Sequence, residues 1–151
     1  MKIVADADIL SIFAKIKRLD ILDKLFKEII IPQSVRFELM KGEIDVGSIA
    51  PSIVKLTRDE LRNLRGAYPK IGRGERECIV ISKSRGIPLA SNDRVVNSSC
   101  RTEGKEYLSL TDLLRFAILK NVITREEARK LIKLIEQEEN TTIKNKEEIF
   151  K

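Results

Sequence analysis

The chain has 151 residues, 42% hydrophobic and 34% charged, which suits one ordinary domain with a real core and argues against a membrane-spanning or wholly disordered protein. The formal net charge is +6, compatible with a polyanionic ligand, and there is no histidine, which excludes Ser-His catalysis, His-ligated zinc and imidazole acid–base chemistry. Met1-Lys2 leads straight into a short apolar run with no signal-peptide pattern, so a cytoplasmic protein with no membrane association is expected.

Lys2-Ile3-Val4-Ala5, ended by Asp6, reads as a buried parallel strand. Ile9, Leu10, Ile12, Phe13 and Ile16 then recur at helical spacing, with Lys15, Lys17 and Arg18 on the opposite face. A second short helix with Ile21, Leu22, Leu25 and Phe26 is expected behind an Asp20 cap. Glu28 to Ile31 is the next strand, stopped by Pro32, which fits the first turn of a helix over 33–40. Gly42 and Gly47 mark a loop, and Ile53 to Leu56 looks like a third strand.

Thr57-Arg58-Asp59-Glu60 is a capping box that opens a helix to about Arg65. Tyr68 to Gly74 reads as a loop, Glu75 to about Ser84 as a helix ended at Gly86, and Ile87 to Ala90 as a fourth strand. Asn92 to Glu106 reads as irregular, Tyr107 to Leu110 as a short fifth strand, and Thr111-Asp112 as the start of a helix. A second capping box at Thr124 to Glu127 opens a helix to about Glu138. Residues 1–138 therefore form one domain, and the charged residues 139–151 are expected to fray. Cys78 reads as core and Cys100 as loop, with no disulfide or zinc pattern.

Strands alternating with helices predict a three-layer α/β/α sandwich around a mainly parallel sheet of four or five strands. Ligands of such sheets bind beyond the carboxyl ends of the strands. Asp6 and Asp93 both follow predicted strands, and Glu38 and Glu75 lie on helices between them. Carboxylates gathered in one pocket repel one another and call for a hard cation, which points to Mg²⁺ or Mn²⁺. Each acid also has an ordinary reading: Asp6 and Asp8 as helix caps, Glu75 and Glu77 as first-turn acids, and Asp93 as a turn residue beside Asn92.

Taken in order, these segments resemble the motifs of PIN-domain nucleases over roughly residues 1–120, and within them the VapC-like toxin ribonuclease branch. Val4 to Leu10 resembles the opening strand with its first acid at Asp6, and Ile31 to Leu39 the second motif with Glu38. Gly74-Glu75-Arg76-Glu77-Cys78-Ile79 resembles the third motif, with Glu75 or Glu77 as the acid; the distance to Gly86 favours Glu75. Leu89-Ala90-Ser91-Asn92-Asp93 resembles the fourth, with Asp93 as the acid and Ser91 and Asn92 as auxiliary residues. Asp8 stands where the family has a small polar residue, as a fifth acid at the rim or a helix cap.

The resemblance implies Mg²⁺- or Mn²⁺-dependent hydrolysis of RNA, with Asp6, Glu38, Glu75 and Asp93 as catalytic and metal-binding residues. Arg73, Arg76 and Arg94, with Lys83, Arg85 and Arg101 nearby, are the expected phosphate contacts. It further implies a homodimer and, for a toxin, an antitoxin protein covering the groove. Two alternatives accompany this reading. One is a PIN-like module that binds RNA or a partner without cleaving. The other is a haloacid-dehalogenase-type phosphatase using Asp6-Ala7-Asp8.

Overall fold

The computed structural model describes residues 1–66, 69–93, 96 and 106–151. Five strands form one all-parallel sheet: β1 (Lys2–Ala5), β2 (Glu28–Pro32), β3 (Ser52–Val54), β4 (Leu89–Ala90) and β5 (Tyr107–Leu108), in the order β3-β2-β1-β4-β5. Among the described residues, seven α-helices accompany it: α1 (Ala7–Lys15), α2 (Leu19–Leu25), α3 (Gln33–Lys41), α4 (Arg58–Leu64), α5 (Arg73–Arg85), α6 (Leu110–Leu119) and α7 (Arg125–Glu138). The expected α/β architecture with a parallel sheet is therefore present, with five strands.

The strand order contains a reversal. From β1 the chain moves outward through β2 and β3, then crosses back to place β4 on the other side of β1. Connections leaving β1 and β4 thus diverge, and a crevice opens between their carboxyl ends, where parallel sheets bind ligands. Register fixes the neighbours at that crevice. Ala5 pairs with Ala90, and the Asp6 amide donates to the Ala90 carbonyl at 3.2 Å, so Asp6 and Ser91 leave the sheet side by side.

Burial on both faces explains why the strands are short apolar runs rather than alternating ones. Ile3, Val4 and Ala5 are buried, as are Ile29, Ile30, Ile31 and Leu89. Helix α1 buries Ile9, Leu10, Ile12 and Phe13, and α5 buries Cys78, Ile79, Val80 and Ile81. The stripes on the last two helices also face this core: Leu113, Leu114 and Ala117 on α6, and Ala128, Leu131, Ile132 and Ile135 on α7.

Local chemistry moves several boundaries. Asp20 does not cap α2; Arg18 holds the cap position, and Asp20 instead accepts from the Arg18 guanidinium at 2.9 Å and 3.2 Å. Helix α5 starts two residues earlier than expected, behind Gly72, which places Glu75 in its first turn. Gly86 ends α5 with φ of 63°, a left-handed conformation that glycine adopts without strain. Helix α6 is capped by Ser109 in a reciprocal box with Asp112, so it begins before Thr111.

The carboxyl-terminal segment, residues 139–151, lies against the domain, its few apolar side chains spaced to reach the core. Ile143 and Ile149 are buried, the latter within a 3₁₀ turn over Lys146–Phe150 that packs on α6. Glu136 anchors the segment, accepting from the Ile143 amide at 2.8 Å and from Lys146 Nζ at 3.1 Å, and Arg129 lies over the Phe150 ring at 5.1 Å.

A buried ion pair joins α4 to α5. Glu60, in the Thr57 capping box, accepts from Arg85 Nε at 3.0 Å and Nη2 at 2.9 Å, and from the Ser84 hydroxyl. Arg85 Nη2 also donates to the Lys55 carbonyl at 3.0 Å. The guanidinium holds the Glu60 carboxyl down at about 2, aided by Ser84 and the Thr57 amide and opposed by desolvation. A carboxyl depressed on folding contributes stability that is complete above its unfolded value of about 4.3 and disappears as pH falls through about 2. Arg85→Met is expected to destabilise the protein by about 1–3 kcal/mol at pH 7, the partly exposed guanidinium tempering the loss. In urea titrations the gap between variant and wild type should close between about pH 4.5 and 2; a gap independent of pH would contradict this account.

Candidate active site

Asp6 is the fixed point of the crevice. It follows β1, caps α1, and accepts from the Ile9 amide through Oδ1 at 3.0 Å, so the ordinary helix-cap role is real. The cap uses one oxygen. Oδ2 is buried and has no hydrogen-bond partner among the described residues, and Asp6 is only 1% exposed. Desolvation pushes its carboxyl up to about 7; the Ile9 amide and the nearby Ser91 hydroxyl pull against that, while Asp8 and Glu75 add to it.

Four further acids meet in a cleft of about 580 Å³ above this point. Its walls include Asp8, Glu38, Glu75 and Asp93, with Ser11, Lys15, Asn92 and Ile44. Asp6 itself does not line the cleft; it lies buried at the sheet edge and reaches the group through its charge. Glu75 is held by the start of α5. Its carboxylate folds back toward the Gly72 amide, and a Cβ at Gly72 would stand 2.7 Å from Glu75 Oε2. Burial raises the Glu75 carboxyl, and the charges of Asp93, Glu38 and Asp8 raise it further.

Glu38 reaches the cleft from α3. At Gly74 the helices α3 and α5 approach closely: a Cβ there would meet Val35 Cγ2 at 3.4 Å and Glu38 Oε1 at 3.7 Å. Glu77 points elsewhere. It is buried, accepts from Ser34 Oγ at 3.0 Å and Arg73 Nε at 3.2 Å, and so fastens α5 to the start of α3. Of the two candidates in the third motif, Glu75 alone lines the cleft.

Asp93 enters from the turn after β4. Its amide donates to Ser91 Oγ at 3.1 Å, and its Oδ1 accepts from the Val96 amide at 3.2 Å. Ser91 is fully buried and positions this turn: its amide donates to Leu108 O, and its carbonyl accepts from the Tyr107 hydroxyl at 2.7 Å. Asn92 lines the cleft beside Asp8, whose carboxyl it pulls downward. Asp8 occupies the exposed rim, yet surrounding protein raises its carboxyl, and Glu139 and Asp93 add to the effect.

The expected basic residues are placed differently. Arg73 pairs with Glu77, Arg85 with Glu60, and Arg76 Nε is buried without a partner among the described residues; none of the three lines the cleft. Lys83 is exposed near the far end of α5. Arg94 and Arg101, like Cys100, lie outside the described residues. A residue that periodicity assigned to the polar side of α1, Lys15, is the basic side chain on the wall. It pairs with Glu139 at 3.6 Å, a contact created by the docked carboxyl-terminal segment and not foreshadowed in sequence.

A second cleft of about 610 Å³ shares Asp8, Asn92 and Asp93 with the first. It runs between the start of α6 and the terminal segment, past Arg115, Thr141 and Lys144.

The donor set suits a hard divalent cation in kind: carboxylate oxygens, one of them buried and unsatisfied. Among the described residues, however, no three carboxylates already stand close enough to hold an ion. Asp6 would supply a rigid donor from beneath the cleft, and Glu38, Glu75 and Asp93 are the side chains in its walls that would have to gather around an ion.

A parallel α/β sheet carrying an acidic cleft at its switch point defines a class of proteins that act at the carboxyl edge of β1 and β4. The DUF3368 family model, a PIN domain, matches residues 2–147, and the chain belongs to the PIN-domain family. PIN domains are generally hydrolytic nucleases and typically depend on divalent metal. A search of the curated proteins finds no match. No helix among the described residues is long and apolar enough to cross a membrane.

An acid whose carboxyl is raised on folding destabilises the native state once ionised. Stability due to Asp6 should fall as pH rises from its unfolded value of about 3.9 to about 7, and the full deficit should persist above. In EDTA, Asp6→Asn is therefore expected to melt several degrees above wild type at pH 8, with the gain vanishing near pH 4. An equal or lower melting temperature at pH 8 would show that Asp6 is not strained by its burial.

Proposed function

We propose that this protein is a metal-dependent endoribonuclease that hydrolyses RNA phosphodiester bonds at the cleft lined by Glu38, Glu75 and Asp93, with Asp6 buried beneath it. One observation carries the reading. A buried aspartate with an unsatisfied oxygen lies at the switch point of the sheet, beneath a cleft walled by further carboxylates. Such a concentration of like charge destabilises the fold unless a cation or protons offset it, and the PIN family typically supplies a divalent metal there.

Bound Mg²⁺ or Mn²⁺ would supply activation of the attacking water and stabilisation of charge on the phosphate. Asp6 would be the central donor, held by its own cap bond so that Oδ2 stays fixed. Asp93, oriented by Ser91 and the Val96 amide, and Glu75, folded against Gly72, would complete the donor set. Glu38, on the facing wall, would orient the attacking water by accepting one of its hydrogens. Asp8 and Asn92 form the rim, and Glu77 keeps α5 in register with α3.

The toxin branch supplies a further part of the proposal: a cytoplasmic toxin, a homodimer, and an antitoxin segment covering the cleft. Its support is the resemblance of the four motifs to that branch. A second reading, an RNA-binding or partner-binding module without cleavage, is favoured by the absence of a ready-made metal cage among the described residues. Nothing observed favours the phosphatase alternative: Asp6 is buried and engaged as a cap, unlike an exposed nucleophile.

Incubation of a mixed structured RNA pool with the purified protein separates these readings. Cleavage is expected with Mn²⁺, none with EDTA, and a loss of at least a hundredfold in Asp6→Asn despite its intact fold. Full cleavage by Asp6→Asn would remove Asp6 from the centre. RNA binding in Mn²⁺ without cleavage would favour the binding module.

A further inference from the structure

We infer that Lys15 is a phosphate-contacting residue of this site, held beside the cleft by Glu139; the inference rests on the nuclease reading above. Among the described residues that line the four-acid cleft, Lys15 is the only cation. It extends from the last turn of α1, with its side chain 42% exposed, so the ammonium is reachable by a ligand in the cleft.

Its partner is loosely held. Lys15 Nζ stands 3.6 Å from Glu139 Oε1, beyond hydrogen-bond distance, and that oxygen is buried without a hydrogen-bond partner among the described residues. The pair therefore restrains the ammonium without consuming its donors. Glu139 lines the second cleft and Lys15 the first, so the pair stands where the two meet, beside Asp8, Asn92 and Asp93, which line both. A nucleic-acid strand passing from one cleft into the other would cross Asp8, Asn92 and Asp93, with Lys15 on the wall of the first cleft.

The electrostatic argument is direct. A phosphodiester entering a cleft of carboxylates is repelled, and the phosphate gains negative charge toward the transition state. A divalent ion answers part of that charge. An ammonium lining the same cleft can donate to a non-bridging phosphate oxygen, and such contacts are worth most where charge develops. Arg73 and Arg85, committed to Glu77 and Glu60, do not line the cleft.

The competing explanation is that Lys15 merely balances Glu139 and Asp8. Comparing Lys15→Met with the double variant Lys15→Met/Glu139→Gln separates the two, because the double variant restores the local charge sum but not the phosphate contact. With Mn²⁺ and a single-stranded RNA substrate, kcat/KM is expected to fall tenfold or more in Lys15→Met and to stay low in the double variant. Lys15→Arg should recover much of the loss. Melting temperatures establish that each variant is folded, and the charge-balanced double variant carries the comparison if Lys15→Met alone is unstable. Wild-type activity in Lys15→Met, or recovery in the double variant, would overturn the inference while leaving the nuclease reading intact. An inert wild type would overturn both.

Discussion

The structure depends on where Asp6 is held. A carboxylate with one oxygen satisfied by a helix cap and the other buried without a partner is a destabilising arrangement. It persists because both neighbours of that position are over-determined. β1 is pinned between β2 and β4 by a buried parallel ladder, and α1 presses Ile9, Leu10, Ile12 and Phe13 into the same core. Neither element can shift to let water reach Asp6 without opening the centre of the protein. Stability spent at this point is recovered in the apolar packing around it, the usual relation between a reactive site and its scaffold.

The other acids are placed by more local devices. Gly72 lets Glu75 fold back over the start of α5, the packing of α3 on α5 brings Glu38 beside Gly74, and buried Ser91 sets the turn that carries Asp93. Each device brings a carboxylate to the same cleft by a separate route, and the mutual elevation of Asp6, Asp8 and Glu75 is the electrostatic consequence. The net charge of +6 therefore conceals a sharply acidic centre. A polyanion is drawn to the molecule as a whole, then repelled at the site unless cations mediate its approach. A divalent ion and Lys15 would fill that role from two sides.

Much of this was legible in the chain. Short apolar runs each followed by helical spacing announced parallel strands, and the acids after the first and fourth runs marked the carboxyl edge. The strand order was not legible, because crossover direction depends on long-range packing rather than on any local pattern. Glu75 lines the cleft while Glu77 is held away from it by Ser34, 43 positions distant in sequence, a contact no local pattern announces. Lys15 was hidden for a similar reason: periodicity placed it on the polar side of α1, and what makes that side a cleft wall is the approach of α3, α5 and the turn after β4, which are distant in sequence. Composition gives no sign of how the carboxyl-terminal segment packs, because it is charged overall, whereas its docking rests on Ile143, Ile149 and Phe150 reaching the core and on Glu136.

Burial of Asp6 beneath a cleft of carboxylates would make a divalent cation a requirement of the site. Calorimetric titration of Mn²⁺ into the metal-free protein at neutral pH tests it most directly, with Asp6→Asn as the reference. Saturable binding to wild type, abolished or weakened at least tenfold in the variant, is the predicted result. Absence of binding at millimolar Mn²⁺, or equal binding by both proteins, would contradict it.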